Sequence, residues 1–287
     1  MPVEQATYLL AGSAAAPAQQ RVRADFLCPA FCQSEVARGF TLIEMAVVLV
    51  VVSLVLGSLL VPLATQVEQR RIESTEQTLE QARDALLAFA AARGRLPCPA
   101  DATGGQEKVT PGTGACASNP GFLPAATLGL SPLDAEGYAR DGWGIQQNRV
   151  RYGLRSATIN SVSDVFTRTG GIRTAGMPAI NAFADSNGLL FVCNTGTGAS
   201  ASGCTNAQST LTSEAVAVVW SVGPNGATGG ASADELENPN PNGGGNVDRV
   251  FVSRPRGSVS GAEFDDQMVW ITPPLLFQRM IAAGQLP

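Results

Sequence analysis

Among the acidic side chains late in the chain are Asp234, Glu235, Glu237, Asp248, Asp265 and Asp266. They are interspersed with Asn and Gly, the residues of flexible polar loops. Oxygen donors on such loops suit Ca2+, which takes six to eight of them. The spacing is not that of an EF-hand, and a solvated acidic loop has the same composition. Six cysteines fall into three local pairs: Cys28 with Cys32, Cys98 with Cys116, and Cys193 with Cys204. The chain has no His and one Lys, Lys108. Ser-His-Asp and Cys-His nucleophile systems and His proton shuttles are therefore excluded. A glycosidase pair would need an apolar cleft around one acid, and no carboxylate is singled out for that role.

A different pattern marks the first quarter. Phe40 to Ala64 reads FTLIEMAVVLVVVSLVLGSLLVPLA, with one charge, Glu44. As a helix it spans roughly 37 Å, against a bilayer core of about 30 Å. It is too long for a strand or for the apolar core of a secretory signal, so it reads as a retained membrane anchor. Ile72, Thr75, Leu79, Ala82, Leu86 and Phe89 then recur at three- and four-residue steps. That spacing predicts an amphipathic continuation ending at Arg93-Gly94, with Pro97 soon after. A Pro inside a helix removes one hydrogen bond, so a kink or a locally meltable stretch is expected between Gly57 and Pro62.

Beyond Pro97 the texture changes. Residues 98–145 are loop-like and rich in Gly, Pro, Asn and Thr. Five short apolar runs follow: Val150–Leu154, Leu189–Cys193, Val216–Val222, Val247–Ser253 and Gln267–Thr272. Turn residues between them predict an antiparallel sheet of four or five strands with long connections. Pro273-Pro274 ends the last strand, and LLFQRMIAAG forms a short closing helix. The fold class is α+β: a long N-terminal helix, membrane-spanning in its first half, packed on an antiparallel domain. Charged residues are only 15% of the 287, and the net charge is −5. Disorder and a nucleic-acid partner are both disfavoured. Cys98/Cys116 and Cys193/Cys204 fit two local disulfides in an oxidising compartment, with nested pairing or free buried thiols as alternatives.

Arg38-Gly39-Phe40-Thr41-Leu42-Ile43-Glu44-Met45 is the most informative octet. At the head of an apolar run that leads into an amphipathic helix, it resembles the type III signal of type IV pilins and type II secretion pseudopilins. Leu96-Pro97-Cys98-Pro99, Asp141-Gly142-Trp143-Gly144 and Ser221-Val222-Gly223-Pro224-Asn225-Gly226 are similar to further pseudopilin segments. The resemblance implies a leader over residues 1–39, cut after Gly39 by a prepilin peptidase, and N-methylation of Phe40. It implies an assembly helix over 40–65, its amphipathic continuation over 66–95 and a periplasmic domain over 96–287. Glu44, Gly57 and Pro62 take assembly roles, Glu44 by meeting a neighbouring subunit's new amine.

The implied partners are the peptidase, other pilin or pseudopilin subunits and an inner-membrane assembly platform. The implied product is a structural subunit with no enzymatic activity. The chain starts in the bacterial inner membrane with its domain in the periplasm and ends in a pilus or pseudopilus. Related pseudopilins hold calcium in a loop of the late region, which directs attention to Asp234, Glu235, Asp248, Asp265 and Asp266. Two features depart from the pattern. The 39-residue leader is long and weakly basic, and the remaining chain is larger than a typical major subunit, which favours a minor or atypical one. A membrane-anchored binding or adhesion module using the same signal is the alternative from another functional class.

Overall fold

The computed structural model describes residues 39–287, apart from 111–112, 146–147, 186–187, 201–202, 227–229, 231, 239–248 and 258–260, and it leaves the side chains of 59–62 undescribed. Leader residues 1–38, with Cys28 and Cys32, and Asp248 therefore lie outside the described residues. The chain divides into two units, Met1–Val55 and Leu56–Pro287.

Helix α1 (Leu42–Arg93) begins in the first unit and ends in the second. Its first turn is capped by Thr41, whose hydroxyl accepts from the Glu44 N–H at 3.2 Å. Its last turn closes at Gly94, which has φ 68° and donates to the Ala90 carbonyl at 2.9 Å. Glycine adopts that left-handed cap without a Cβ penalty, as the sequence leads one to expect. In the first unit α1 is apolar apart from Glu44 and Ser53 and is exposed, with Leu42 91% accessible. It is long and apolar enough to cross a membrane.

In the second unit α1 buries one stripe. Thr75, Leu79, Ala82, Leu86, Leu87 and Ala90 are buried, while Glu73, Glu76, Gln81 and Asp84 are exposed. The stripe packs in one core with Tyr152, Leu154, Ala217, Val219 and Ile271. These residues come from a four-stranded antiparallel sheet ordered β1-β2-β5-β7: β1 (Gly121–Phe122), β2 (Arg151–Leu154), β5 (Ala217–Ser221) and β7 (Gln267–Ile271).

Strand β5 shows the period of two directly. Ala217 and Val219 join the α1 core. Val218 and Trp220 face the other way and pack with Leu190, Val192 and Phe251 of a second sheet. Trp220 and Phe251 hold that contact with ring centroids 5.2 Å apart. A strand buried on both faces reads as a continuous apolar run, which is why AVAVVWSV shows no alternation. The second sheet is ordered β4-β3-β6: β3 (Leu190–Cys193), β4 (Thr210–Ala215) and β6 (Val250–Val252). Its outer face carries Phe191, Val250 and the Cys193–Cys204 disulfide. Cys98 pairs with Cys116, so both pairings are local.

The α+β class and the five apolar strands agree with the sequence. The single sheet does not, because the strands divide between two sheets, and β3 pairs with β6 in parallel. A parallel neighbour needs a long crossover, and the chain supplies one between Cys193 and Val250. Three further short helices precede β3: α2 (Ala125–Leu128), α3 (Gly171–Ala175) and α4 (Met177–Asp185). Helix α5 is Ala233–Glu237, and α6 (Pro273–Ala282) closes the chain. Pro273 and Pro274 sit in the first turn of α6, where no N–H is needed from them.

Two substitutions test the seat of α1 on the domain. Leu86→Ala should destabilise the domain by about 2–5 kcal/mol, read as a lower denaturant midpoint with unchanged slope. Thr75 is fully buried and accepts from the Gly142 N–H at 2.9 Å. Thr75→Val leaves that N–H without its partner and should cost about 1–3 kcal/mol by the same measurement.

Candidate functional site

Two places gather chemistry-bearing residues, and each belongs to one unit. The first is the head of α1. Gly39 and Phe40 lie in non-helical, exposed backbone, with Phe40 75% accessible. A Cβ at Gly39 would meet nothing within 4 Å. Helical hydrogen bonding begins one residue later, with the Met45 N–H donating to the Thr41 carbonyl at 3.1 Å. Glu44 stands in the first turn with its carboxylate exposed. A carboxylate there complements the partial positive charge at the helix start. Thr41-x-x-Glu44 has the spacing of a capping box. That signal is visible in the sequence, but reading the octet only as a processing site passes it over.

Farther along, Gly57 is exposed within α1, and the helical backbone continues through Pro62. The stretch is wound in this isolated chain. Any unwinding on packing against neighbours belongs to the functional proposal below.

The second place joins two turns that the sequence marks separately. The Asp141 carboxylate is buried and organises both. It accepts from the backbone N–H groups of Trp143 at 3.0 Å and Gly144 at 3.3 Å. It also accepts from Ser221 Oγ at 2.6 Å and Asn148 Nδ2 at 3.0 Å. The same Asn148 amide donates to the Gly223 carbonyl. Burial pushes the Asp141 carboxyl above its ordinary range, and the donated hydrogen bonds from Ser221, Trp143 and Asn148 oppose that shift. Asp141-Gly142-Trp143-Gly144 and Ser221-Val222-Gly223 are thus two halves of one junction. Gly142 meets the Arg71 backbone so closely that a Cβ would collide with its carbonyl. The junction therefore locks to α1 as well as to β5.

Gly223 leads into the acidic group. It has φ 63°, and a Cβ there would strike the Asp265 carboxylate. Glu235, Asp265 and Asp266 each bring one oxygen within 4.8 Å of the others. Glu235 is held by α5, whose N-cap Ser232 accepts its N–H at 3.2 Å. Its Oε1 accepts from Asn225 Nδ2 at 3.0 Å and from the Asp265 N–H at 3.2 Å. Asp266 Oδ2 accepts from Asn238 Nδ2 at 2.6 Å. Asn238 in turn brackets β6, receiving the Val252 N–H at 2.8 Å and donating to its carbonyl at 3.0 Å. Asp265 Oδ1 is buried without a hydrogen-bond partner.

Burial pushes the Asp266 carboxyl up to about 8, against the Asn238 hydrogen bond and the attraction of Arg151, with Asp265 and Glu235 adding to the rise. Burial, then Glu235, pushes Asp265 up to about 7. Arg151 is itself drawn down to about 9 by burial, more than Asp266 can restore. Desolvation thus outweighs pairing on both sides.

Among the described residues, Asp234 and Glu237 do not join this group. Asp234 lies next in sequence but is engaged elsewhere. Its carboxylate accepts from the Thr195 hydroxyl at 2.9 Å and the Gly196 N–H at 2.7 Å, and it pairs with Arg254 at 2.7 Å. Asp248 lies outside the described residues. Asn225, which the sequence marks only as part of a turn, and Asn238, which sequence reasoning did not single out, supply polar contacts around the cluster.

Residues 36–60 match the family described as the prokaryotic N-terminal methylation motif. Comparison of the chain with curated proteins and with solved structures returned no match. The matched segment covers the Gly39-Phe40 junction, the Thr41 cap, Glu44 and the first part of the apolar helix. At the head of its long helix the chain thus carries the prepilin-type signal found in type IV pilins and pseudopilins.

Proposed function

We propose that this chain is a structural subunit, a minor pilin or pseudopilin-like one, of a type IV pilus or a type II secretion pseudopilus. A prepilin peptidase removes residues 1–39, and Phe40 becomes the methylated N-terminus. The chain waits in the inner membrane with its domain in the periplasm. An assembly platform then moves it into a filament with other subunits, its helix unwinding locally between Gly57 and Pro62 as it packs. The protein acts by assembling and catalyses nothing. One observation carries this reading: the methylation motif coincides with an exposed, non-helical Gly39-Phe40 junction, followed at once by an apolar helix whose surface its own chain leaves uncovered.

Glu44 has a definite role in this reading. A carboxylate inside a bilayer costs about 2.5–3.5 kcal/mol at the helix centre on insertion scales, and less near an end. Cleavage creates an amine on Phe40, and a neighbouring subunit's amine offsets the cost when helices pack. Intact mass measurement of the membrane form should give a chain beginning at Phe40 with one added methyl group. Glu44→Ala should be cleaved and reach the membrane at normal levels, yet fall at least tenfold in filament incorporation. An N-terminus at any other residue, or full incorporation of Glu44→Ala, overturns the reading.

We also propose that Glu235, Asp265 and Asp266 bind Ca2+. The residues fit a hard cation. All the donors are oxygens, one of them is a buried carboxylate atom without a partner, and burial pushes the Asp265 and Asp266 carboxyls up, a penalty that a bound cation would relieve. A bound ion would tie α5 to the strand end at 265–266. Calcium should raise the melting temperature of the wild-type domain, by the equivalent of about 2.7 kcal/mol at a hundredfold excess over Kd. Asp265→Asn should melt no lower than wild type without calcium, because it removes a repelled carboxylate, and should lose the calcium response. A wild-type melting temperature indifferent to calcium sinks the proposal.

A further inference from the structure

The Thr41 side chain occupies a hydrogen-bond donor that the helix would otherwise use to extend itself over the processing site. In an α-helix each N–H bonds the carbonyl four residues earlier. The natural acceptor for Glu44 N–H is thus the Phe40 carbonyl, and for Ile43 N–H it is the Gly39 carbonyl. In the structure Glu44 N–H goes instead to Thr41 Oγ1 at 3.2 Å, and the first backbone bond is Met45 N–H to the Thr41 carbonyl at 3.1 Å. Gly39 and Phe40 stay outside the helix, exposed and without close neighbours at Gly39.

We propose that Thr41 is a positioning residue for leader removal. Its hydroxyl ends the helix one residue short of Phe40 and so keeps the Gly39 carbonyl free for attack. This inference rests on the prepilin reading above and deepens it. Hydrolysis adds one water across the Gly39–Phe40 amide. The hydroxyl goes to the Gly39 carbonyl carbon, the C–N bond breaks, and Phe40 nitrogen leaves as an amine carrying the proton. The Gly39 carbonyl is the atom that must be reached, and it is also the acceptor recruited if the helix grows by one turn position. Without the Thr41 hydroxyl, Glu44 N–H has no side-chain acceptor. Next to an apolar phase, an unsatisfied N–H is costly enough to draw the backbone into the helix. The Phe40 carbonyl then pairs with Glu44, and the Gly39 carbonyl pairs with Ile43. Gly39 is itself a tolerated N-cap residue, so nothing opposes the shift.

The test uses the full-length precursor in lipid with purified prepilin peptidase. Thr41→Val keeps the shape and removes the hydroxyl, and Thr41→Ser keeps the hydroxyl. Loss of an N-cap of this kind shifts the helix-start equilibrium about fivefold. A substrate competent in only a fraction of its population shows a raised apparent KM. Thr41→Val should therefore raise KM, by at most about fivefold, with kcat unchanged, and Thr41→Ser should keep the wild-type KM. Membrane insertion should be the same for all three.

Equal KM for Thr41→Val and wild type overturns the inference. So does a loss confined to kcat, or a Thr41→Ser variant as impaired as Thr41→Val. If wild type itself is not cut after Gly39, the prepilin reading falls and takes this inference with it. If wild type is cut normally and Thr41→Val equally fast, the inference alone falls.

Discussion

Helix α1 carries two apolar surfaces, and its own chain covers only one. From Thr75 onward a single stripe is buried against the four-stranded sheet, and the opposite face is charged. From Leu42 to Leu56 every residue is apolar or small except Ser53 and Glu44, and all are exposed. Burial of apolar surface is worth roughly 25 cal/mol per Å2, so this part of the helix requires an apolar environment from outside: lipid, other helices, or each in turn. The domain has no such requirement. It closes its own core in layers, with α1 on one face of the first sheet and the second sheet on the other. The chain is thus a self-sufficient domain attached to an unsatisfied helix, and the methylation motif sits at the free end of that helix.

The sequence shows this division clearly, because each half of α1 has a different period. An all-round apolar run and a three-four stripe are both unambiguous over such lengths. The same holds for β5, whose unbroken apolar run reports burial on both faces. Strand β4 is harder to read. Its residues TLTSEA have no apolar alternation, since the strand lies at a sheet edge and its Leu211 is exposed. Such a strand forms because β3 offers it hydrogen bonds, and that tertiary fact leaves little trace in local composition. Helix α4 is obscured by its Pro at the second position and by only two buried residues, Ile180 and Ala184. The division into two sheets was equally hidden, because pairing order depends on which loops cross and not on the strands themselves.

The late acidic residues show the same limit at a finer scale. The sequence singles out six of them in one region, and among the described residues three come together. Asp234 and Glu235 are adjacent in sequence yet belong to different networks, because successive side chains on α5 point in different directions. One meets Arg254 and the 195–196 turn, and the other meets Asp265. The two quoted turns, by contrast, prove more closely related than their sequence separation indicates. Asp141 and Ser221 are bonded directly, and Gly223 brings the second turn against Asp265. Arg256 continues the chain of contacts to α1, pairing with Glu68 at 3.3 Å and lying 5.3 Å from the Trp143 ring centre. Turn, acidic cluster and helix therefore form one connected polar frame on the domain. Asp265 lies in the fields of both Arg256 and Glu68, the latter being the first charged residue after the apolar run.

The electrostatics at the head of α1 decide why such a helix should assemble and not merely anchor. An isolated Glu44 near the end of a membrane span is penalised by less than the 2.5–3.5 kcal/mol of a mid-membrane carboxylate. It also gains from the helix dipole, typically 0.3–1 kcal/mol. On the proposed reading, anchoring is therefore tolerated with the acid unpaired. A cationic amine about 4 Å away contributes on the order of 4 kcal/mol at an effective dielectric of 20, and more as lipid or protein excludes water. That exceeds the residual penalty, so pairing is favourable in an apolar bundle and weak in water. Such a contact is selective for its setting. It rewards a processed chain whose neighbour's amine is presented at the right height, and an unprocessed chain has no amine to present. On the proposed reading, cleavage after Gly39 is the step that converts an anchored monomer into one competent to assemble, and the carboxylate at position 44 is how the helix senses that the step has occurred.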